Sequence, residues 1–301
     1  MNPKAIARRA LHGGMRLIAA HTIFSANKRV RSVGYDVISK HQRLVACAPA
    51  TGEVFVVHAG DEWIGRGLFV SGEFDFDKFA AAFEALVKLR PGSRPKVLID
   101  VGANIGSICI PAVVRGYVER AVAIEPDPQN SRLLRANIAL NGLEDKIRTA
   151  ETAAGPHDGE FLELELSGEN LGDHRIRVTG EDGALDEANR EVVKVPSATL
   201  DSICRAEAGD DVLVWMDVQG FEGIALAGAK AFLERRVPMV LEFCPYLMVR
   251  ARSFAALQQA LAGYSGFVDL ESGKGFRPIA ELQALYDELG EGQAFTDILV
   301  L

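Results

Sequence analysis

The sequence predicts an α/β protein built on a Rossmann-like sheet, and three observations lead to this fold class. From Lys96 onward, short apolar runs rich in β-branched residues alternate with helical stretches. This alternation is typical of parallel strands joined by helical crossovers and covered on both faces. A glycine-bearing turn follows the first run, and an acidic residue follows the second. Ligands of such sheets bind at the carboxyl ends of the strands, so we expect the site there.

Composition narrows the class of protein. The chain has 301 residues, a net charge of −8 and four scattered cysteines without a C-x-x-C pair. We therefore expect reduced thiols in a cytoplasmic protein, and neither a zinc nor a disulfide framework. The longest apolar runs, such as Val212–Met216, are far shorter than the roughly 20 residues of a membrane span.

A basic arm is predicted over residues 1–35, which hold seven basic side chains and no acidic ones. Leu11, Met15, Ile18 and Thr22 have helical spacing, so this arm could be an amphipathic helix in peripheral contact with an anionic membrane or a partner. A solvated helix or frayed terminus is the alternative. The acidic remainder argues against a nucleic-acid partner.

A small β/α cap is predicted over residues 36–95. Two strand-like runs, 43–47 and 53–58, flank a Pro-Ala-Thr-Gly turn. The following run, Phe76–Leu89, has apolar residues at helical spacing and ends before Pro91. Residues 96–301 then form the main domain.

The main domain is predicted from its apolar runs. Predicted core strands are Val97–Val101, 121–124, Ile147–Ala150, Val212–Met216, 237–243 and 298–301. Between residues 160 and 200, apolar and polar residues alternate with glycines between the runs. That pattern indicates an antiparallel insertion beside the ligand edge.

The turn after the first core strand, residues 100–106, reads DVGANIG. Gly102 and Gly106 are four residues apart, whereas the nicotinamide dinucleotide fingerprint places its outer glycines five apart. Asp100 would also repel a diphosphate. A carboxylate there favours instead a cofactor with a cationic sulfonium and a free amino group.

Glu125 ends the second core strand, where an acidic residue accepts both ribose hydroxyls in related nucleotide-binding folds. It is our candidate ribose ligand. The alternative is an acidic residue interacting with the dipole of the helix that follows Pro128. Asp127 is the better candidate for the cap of that helix.

These motifs resemble the FkbM-type S-adenosylmethionine-dependent methyltransferases, and the resemblance spans residues 69–243. Beyond the loop and Glu125, it includes Asn137, Asn141, residues 217–222 (DVQGFE) and Glu242. It implies a seven-stranded methyltransferase sheet, O-methylation and S-adenosylmethionine as cofactor. The residues that it places around the cofactor are Asp100, Gly102, Ala103, Asn104, Gly106, Glu125, Pro126, Glu151, Thr152 and Asp217.

Candidate catalytic groups follow the later strands. Asp217, Glu222 and Glu242 could converge at one edge of the sheet, either as a general base with orienting partners or as ligands of a divalent cation. Helix capping and pairing with arginine are the structural alternatives. His174, in the insertion, could relay a proton. The resembled family often has Glu where Gln219 stands, which leaves activity open.

The leading hypothesis is therefore a methyltransferase acting on a hydroxyl of a glycan, glycolipid or secondary metabolite. A catalytically inactive binding or assembly module with the same fold is the main alternative, and a nicotinamide-dependent oxidoreductase is disfavoured by the glycine spacing. The expected partners are a small-molecule or glycan acceptor and a second copy of the chain in a homodimer.

Overall fold

The computed structural model describes residues 27–48, 51–168, 170–207, 209 and 211–301. Its helices are α1 (Lys28–Ile38), α2 (Ile64–Val70), α3 (Phe76–Leu89), α4 (Cys109–Val114), α5 (Pro128–Leu140), α6 (Leu200–Ile203), α7 (Glu222–Leu226), α8 (Lys230–Glu234), α9 (Pro245–Ala251), α10 (Phe254–Leu261) and α11 (Leu282–Leu289).

The strands are β1 (Leu44–Cys47), β2 (Phe55–His58), β3 (Val97–Val101), β4 (Arg120–Ile124), β5 (Ile147–Ala150), β6 (Ala153–Ala154), β7 (Glu160–Leu166), β8 (Arg175–Ile176), β9 (Glu191–Ala198), β10 (Val212–Met216), β11 (Met239–Phe243), β12 (Gly266–Asp269), β13 (Phe276–Pro278) and β14 (Thr296–Val300).

The central sheet has the strand order β13-β12-β14-β11-β10-β3-β4-β5. β3, β4, β5, β10 and β11 are parallel, and β14 lies antiparallel to β11 and β12. The order reverses between β3 and β10, because β4 follows on one side and β10 on the other. The chain segments leaving these two strands diverge, which opens a crevice at their carboxyl ends.

The middle of the sheet is dry on both faces. Every residue of β3, β10 and β14 is buried, which explains why these strands consist mostly of apolar residues. One apolar core combines the cap with α4 and α5, and the second packs α7 to α11 on the opposite face. This layered sheet confirms the predicted Rossmann-like class.

The expected count of seven strands is wrong by one. An eighth strand, β13, pairs with β12 at the edge of the sheet through three residues. Its sequence, Phe-Arg-Pro, is too short to show alternation, and Arg277 is held there by Glu281 and Glu288 rather than by apolar packing. The strand forms because tertiary contacts hold it, so periodicity does not reveal it.

The cap contains α1, the antiparallel hairpin β1–β2, α2 and α3. Tyr35 of α1 donates its hydroxyl hydrogen to the Asp61 carbonyl oxygen (2.7 Å). Phe79 of α3 lies 5.9 Å from the ring of Trp215 on β10, so cap and sheet share one core. Helix α1 crosses the predicted boundary at residue 35, and the predicted arm helix around Leu11 to Thr22 lies outside the described residues.

The predicted antiparallel insertion is confirmed as a second sheet with the order β6-β9-β7-β8. It follows β5, and its loop between β7 and β8 lies over the ligand edge. Among the described residues, no helix is long and apolar enough to cross a membrane. All four cysteines are buried and free.

Candidate functional site

A cavity of about 450 Å³ lies at the carboxyl ends of β3, β4, β10 and β11. This volume falls within the usual range for small-molecule and cofactor sites. The predicted site residues that line it are Asp100, Gly102, Ala103, Asn104, Glu125, Pro126, Thr152, His174, Asp217 and Glu242. Gly106, Glu151 and Glu222 belong to the same prediction and are not among its lining residues.

The loop at residues 102–106 turns back in the left-handed region of backbone space at Gly102, Asn104 and Gly106. A Cβ on Gly102 would lie 1.9 Å from the Asp217 carbonyl oxygen. A Cβ on Gly106 would lie 2.6 Å from Ile110 Cδ1. Neighbouring protein atoms and the positive φ angles therefore favour glycine at both positions.

The Glu125 carboxylate fixes the conformation of this loop through a hydrogen bond to its backbone. Its Oε2 accepts the Asn104 N–H (2.8 Å) and its Oε1 accepts the Asp127 N–H (2.9 Å). Each carboxylate oxygen has a second lone pair, so Glu125 can still accept hydrogen bonds from a ligand in the cavity. Asp127 caps α5 by accepting the Asn130 N–H (2.8 Å), as predicted.

Asp100 lies at the floor of the cavity and is almost fully buried. Its Oδ2 accepts the Cys109 N–H (3.1 Å), which joins the end of β3 to the start of α4. Burial raises the pKa of Asp100 to about 7 and that of Glu125 to about 8, because the charged forms lose hydration. A cationic ligand would lower both pKa values and favour ionised carboxylates.

The ionisable side chains of the cavity are mostly acidic. Seven carboxyl groups line it, against the cations of Lys78 and Arg175. Arg175 is already paired with Asp173 and with Glu187 (3.0 Å). A positive ligand would lower the raised pKa values of the buried carboxyl groups and ionise them, so this lining favours a cation over phosphate groups.

Asp217 and Glu242 meet at the ends of β10 and β11. The Gln219 side-chain amide lies between them: its Nε2 donates to Asp217 Oδ1 (2.7 Å) and to Glu242 Oε2 (3.1 Å). Gln219 holds this position from a left-handed backbone conformation, with φ of 55°. The two predicted carboxylates are thus brought together, with an amide bridge between them.

Both carboxylates lie deep in the protein and keep part of their surface toward the cavity. Burial raises the pKa of Asp217 to about 7, against the lowering effect of the Gln219 hydrogen bond. Burial, then the negative charge of Asp217, raises the pKa of Glu242 well above its ordinary value. One member of such a pair stays protonated while the other is ionised near neutral pH.

Glu222 lies close enough to this pair for its charge to act on Glu242, but it does not line the cavity. Its Oε1 accepts the N–H groups of Val218 (3.0 Å) and Gly220 (3.3 Å), so it stabilises the turn before α7. Its Oε2 is buried without a hydrogen-bond partner, and burial raises its pKa to about 8. Of the three predicted carboxylates, Asp217 and Glu242 therefore open onto the cavity, and a catalytic role for Glu222 stays a prediction.

His174 lies in the cavity wall formed by the insertion. Its Nδ1 accepts the Ser167 N–H (3.0 Å), so the neutral ring carries its hydrogen on Nε2. Burial lowers the pKa of His174, which favours this neutral donor. The structure places it among the lining residues, and proton relay by His174 stays a prediction.

The two residues expected beside an adenine ring differ in position. Thr152 lines the cavity and donates its hydroxyl hydrogen to the Pro196 carbonyl (2.9 Å). Glu151 instead pairs with Arg135 (2.7 Å) on a partly exposed surface.

Sequence reasoning missed the cavity wall that the cap and β14 supply. Lys78 of α3 pairs with Asp297 of β14 (3.1 Å) and lies 5.2 Å from the ring of Phe295. Trp63 and Phe295 line the cavity although both are largely exposed, so they form its mouth. No spacing rule connects these positions, because they come from opposite ends of the chain.

The proposed divalent cation gains no support from the geometry. Within the part of the chain that the structure describes, no group of three or more His, Cys, Asp or Glu side chains is arranged to hold a metal. Between Asp217 and Glu242, the Gln219 amide occupies the bridging position.

Comparison with known proteins agrees with this architecture. The model of the methyltransferase FkbM domain matches residues 100–265, which is more than half of the chain. The chain therefore belongs to the FkbM methyltransferase family.

More distant relatives match in part. A segment of 73 residues is 40% identical to ribosomal protein L11 methyltransferase from Carboxydothermus hydrogenoformans and covers 24% of this chain and 23% of that protein. The Geobacter sp. (strain M21) protein of the same name is 30% identical over 90 residues, 30% of this chain and 28% of its own. The chain thus spans about a quarter of the length of these curated relatives.

Two solved structures illustrate the structural matches. P. horikoshii TYW2 in complex with MeSAdo has a TM-score of 0.38 and 13% identity, covering 91% of this chain and 82% of its own. The Bacillus cereus O-methyltransferase in complex with SAH has a TM-score of 0.35 and 9% identity, covering 74% and 81%.

Proposed function

We propose that this protein is an S-adenosylmethionine-dependent O-methyltransferase that acts on a hydroxyl of a glycan, glycolipid or secondary metabolite. One observation carries the proposal: the carboxylate pair Asp217 and Glu242 shares a single cavity with the loop at residues 102–106 and with Glu125. The candidate base and the candidate cofactor-binding residues thus line the same cavity.

The residues present fit this cofactor. Glu125 has free lone pairs for ribose hydroxyls, and Asp100 offers a carboxylate for the amino group. Gly102, Ala103 and Asn104 would lie along the methionine end, with Pro126 and Thr152 toward the adenine. Asp217 is placed beside the methyl group in this proposal, and carboxyl groups that ionise beside a cation suit a sulfonium.

The sulfonium, when bound, supplies an electrophilic methyl group for transfer to oxygen. The residues of the cavity would hold the acceptor hydroxyl in line with the methyl group and accept the hydroxyl proton. As the acceptor oxygen gained the methyl carbon and the methyl–sulfur bond broke, a carboxylate oxygen of the Asp217–Glu242 pair would take up the hydroxyl proton. A base with a pKa about 7 is well matched to this task.

The residues at the mouth of the cavity favour an uncharged acceptor. Trp63 and Phe295 offer exposed aromatic faces, while the carboxylates behind them accept hydrogen bonds from hydroxyls. The same carboxylates would repel a phosphate backbone, so we propose a small molecule or glycan rather than nucleic acid. Peripheral membrane contact through the arm, a homodimer and a cytoplasmic location remain parts of the proposal that need their own tests.

The test is an acceptor screen with S-adenosylmethionine carrying a labelled methyl group. We expect label on a hydroxyl of a methyl glycoside or polyketide alcohol, and none on transfer RNA or ribosomal protein L11. A Trp63→Ala variant should lose turnover on that acceptor while retaining S-adenosylhomocysteine binding. Label on RNA or protein alone would overturn the acceptor class, and binding without any turnover would favour the inactive module.

The arm has a separate test. Deleting residues 1–32 should reduce co-sedimentation with liposomes that contain anionic lipid, because seven basic residues are removed with the arm. Neutral liposomes are the control. Unchanged co-sedimentation would remove the membrane contact from the proposal.

A further inference from the structure

Asn137 of α5 and Asn141, the residue that caps the C-terminus of α5, hydrogen-bond to the cap hairpin as a neighbouring strand would. The Val56 N–H donates to Asn137 Oδ1 (2.7 Å), and Asn137 Nδ2 donates back to the Val56 carbonyl (3.2 Å). The Val54 N–H donates to Asn141 Oδ1 (2.9 Å), and Asn141 Nδ2 donates to the Val54 carbonyl (2.7 Å). Each amide group thus copies the donor and acceptor of a backbone peptide.

This pairing is possible because the spacing of residues along the helix matches the spacing along the strand. Four residues of an α-helix rise about 6 Å, and two residues of a strand extend about 6.6 Å. Side chains four apart on α5 therefore meet backbone groups two apart on the cap strand. These backbone groups alternate with those of Phe55 and Val57, which face β1.

Asn137 makes one contact that Asn141 lacks. Its Nδ2 also donates to the Ile105 carbonyl (3.0 Å), within the loop at residues 102–106. Asn137 is completely buried, and its side-chain hydrogens are both used, one toward the cap and one toward the loop. The Asn137 side chain therefore joins the strand β2 region of the cap (the cap strand, residues 54–58) to the loop at residues 102–106 (the cofactor loop).

The conformation of the loop at residues 102–106 depends on contacts with residues outside the loop. Three of its five residues, Gly102, Asn104 and Gly106, have positive φ angles. Conformations of this kind persist when surrounding contacts fix them. Without Asn137, the Ile105 carbonyl would lose a hydrogen bond in the interior, which favours rearrangement of the loop.

We propose that Asn137 is a positioning residue, which couples docking of the cap to the conformation of the cofactor loop. Coupling between two sites is reciprocal, so a bound cofactor that orders the loop also stabilises the cap on α5. The binding measurement in the following test rests on the proposed function. The exchange measurement does not require a ligand.

The experiment compares Asn137→Ala with the matched control Asn141→Ala. Both variants lose hydrogen bonds to the cap strand, and Asn137→Ala also releases the loop. Asn137→Ala should weaken S-adenosylhomocysteine binding about tenfold, and Asn141→Ala less than about threefold. Hydrogen exchange of a peptide covering residues 102–110 should be faster in unliganded Asn137→Ala and unchanged in Asn141→Ala.

Equal affinity and equal loop exchange in the two variants would overturn the proposal and leave Asn137 a structural anchor of the cap. If Asn137→Ala does not fold, Val56→Pro removes the Val56 N–H that faces Asn137, and the loop peptide should then exchange faster than in the parent. No binding of S-adenosylhomocysteine by the parent would refute the proposed function alone, because loop exchange still decides the role of Asn137.

Discussion

The two halves of the cavity are built in different ways. The half around Glu125 is made by the two turns that follow the neighbouring strands β3 and β4, and the buried Glu125 carboxylate accepts one backbone N–H from each turn. The half around Asp217 is assembled from β10, β11, the cap and β14, and its geometry depends on side chains meeting across the fold. The first half is suited to a constant ligand, and the second can vary with the acceptor.

This difference implies that changes in the two halves should separate binding from turnover. Damage to the loop at residues 102–106 should weaken cofactor binding first. Damage to the carboxylate pair should reduce turnover while the cofactor still binds. The following predictions test that separation, from the largest expected effect to the smallest.

Asp217→Asn should reduce turnover on the order of 10²–10⁴-fold, because it removes the candidate base while the amide oxygen can still accept from Gln219. S-adenosylhomocysteine binding should change less than about threefold. Single-turnover kinetics and calorimetric titration measure the two effects. Asp145→Asn, a change at an exposed carboxylate outside the cavity, is the control. Retained turnover in Asp217→Asn would assign the base elsewhere.

Gly102→Ala should weaken S-adenosylhomocysteine binding by a factor on the order of 10–100, because its Cβ would clash with the Asp217 carbonyl oxygen. Gly116→Ala is the matched control. Gly116 also has a positive φ, but its Cβ would meet no atom within 4 Å. Equal affinity loss in both variants would show that backbone strain, and not the contact at the strand ends, limits binding.

Gln219→Glu should destabilise the protein by about 1–2 kcal/mol at pH 8, because it replaces the bridging amide with a third acidic group. The loss should become smaller at pH 6, where the added group is protonated. Thermal unfolding at both pH values measures it, with Gln293→Glu at the exposed cavity mouth as control. Increased turnover in Gln219→Glu would show that the acid common in the family improves catalysis.

Stability and turnover should depend on pH in opposite directions. Asp100 and Asp217 have pKa values of about 7, and Glu125 and Glu222 of about 8, all raised by burial. The native state therefore binds protons that the unfolded state has released, so the free energy of unfolding falls as pH rises from 5.5 to 8.5. Turnover rises over the same range because the base must be ionised. Denaturant unfolding and pH–rate profiles measure the two trends, and a stability that increases with pH would contradict the raised pKa values.

Sequence alone predicted that Asp100, Gly102 and Glu125 lie together, and the structure brings them into one cavity, while their roles toward a cofactor stay predictions. Asp100, Gly102 and Glu125 are set by local strand-to-helix turns, whose position follows from short-range patterns. The acceptor half was predicted only in part: Asp217 and Glu242 were found from the strand ends, whereas Lys78, Trp63 and Phe295 were missed. Those three meet only after the cap and β14 have packed, and no local period encodes that contact.

The elements of the fold were likewise predicted only where local sequence patterns determine them. The parallel core strands were predicted because short runs rich in apolar residues alternate with helical stretches. Strand β13 was missed because pairing with β12 and the ion pairs of Arg277 hold it. Glu222 was expected at the site from its position along the chain, but its rotation toward Val218 and Gly220 depends on the turn itself.

The measurement that tests the central claim most directly is calorimetric titration of the protein with S-adenosylhomocysteine, with NAD as control ligand and Glu125→Ala as control variant. We predict saturable binding by the parent, at least about tenfold weaker binding by a folded Glu125→Ala, and no heat with NAD. Circular dichroism verifies that the variant is folded. The absence of binding by the folded parent, or binding of NAD in place of S-adenosylhomocysteine, would contradict the account.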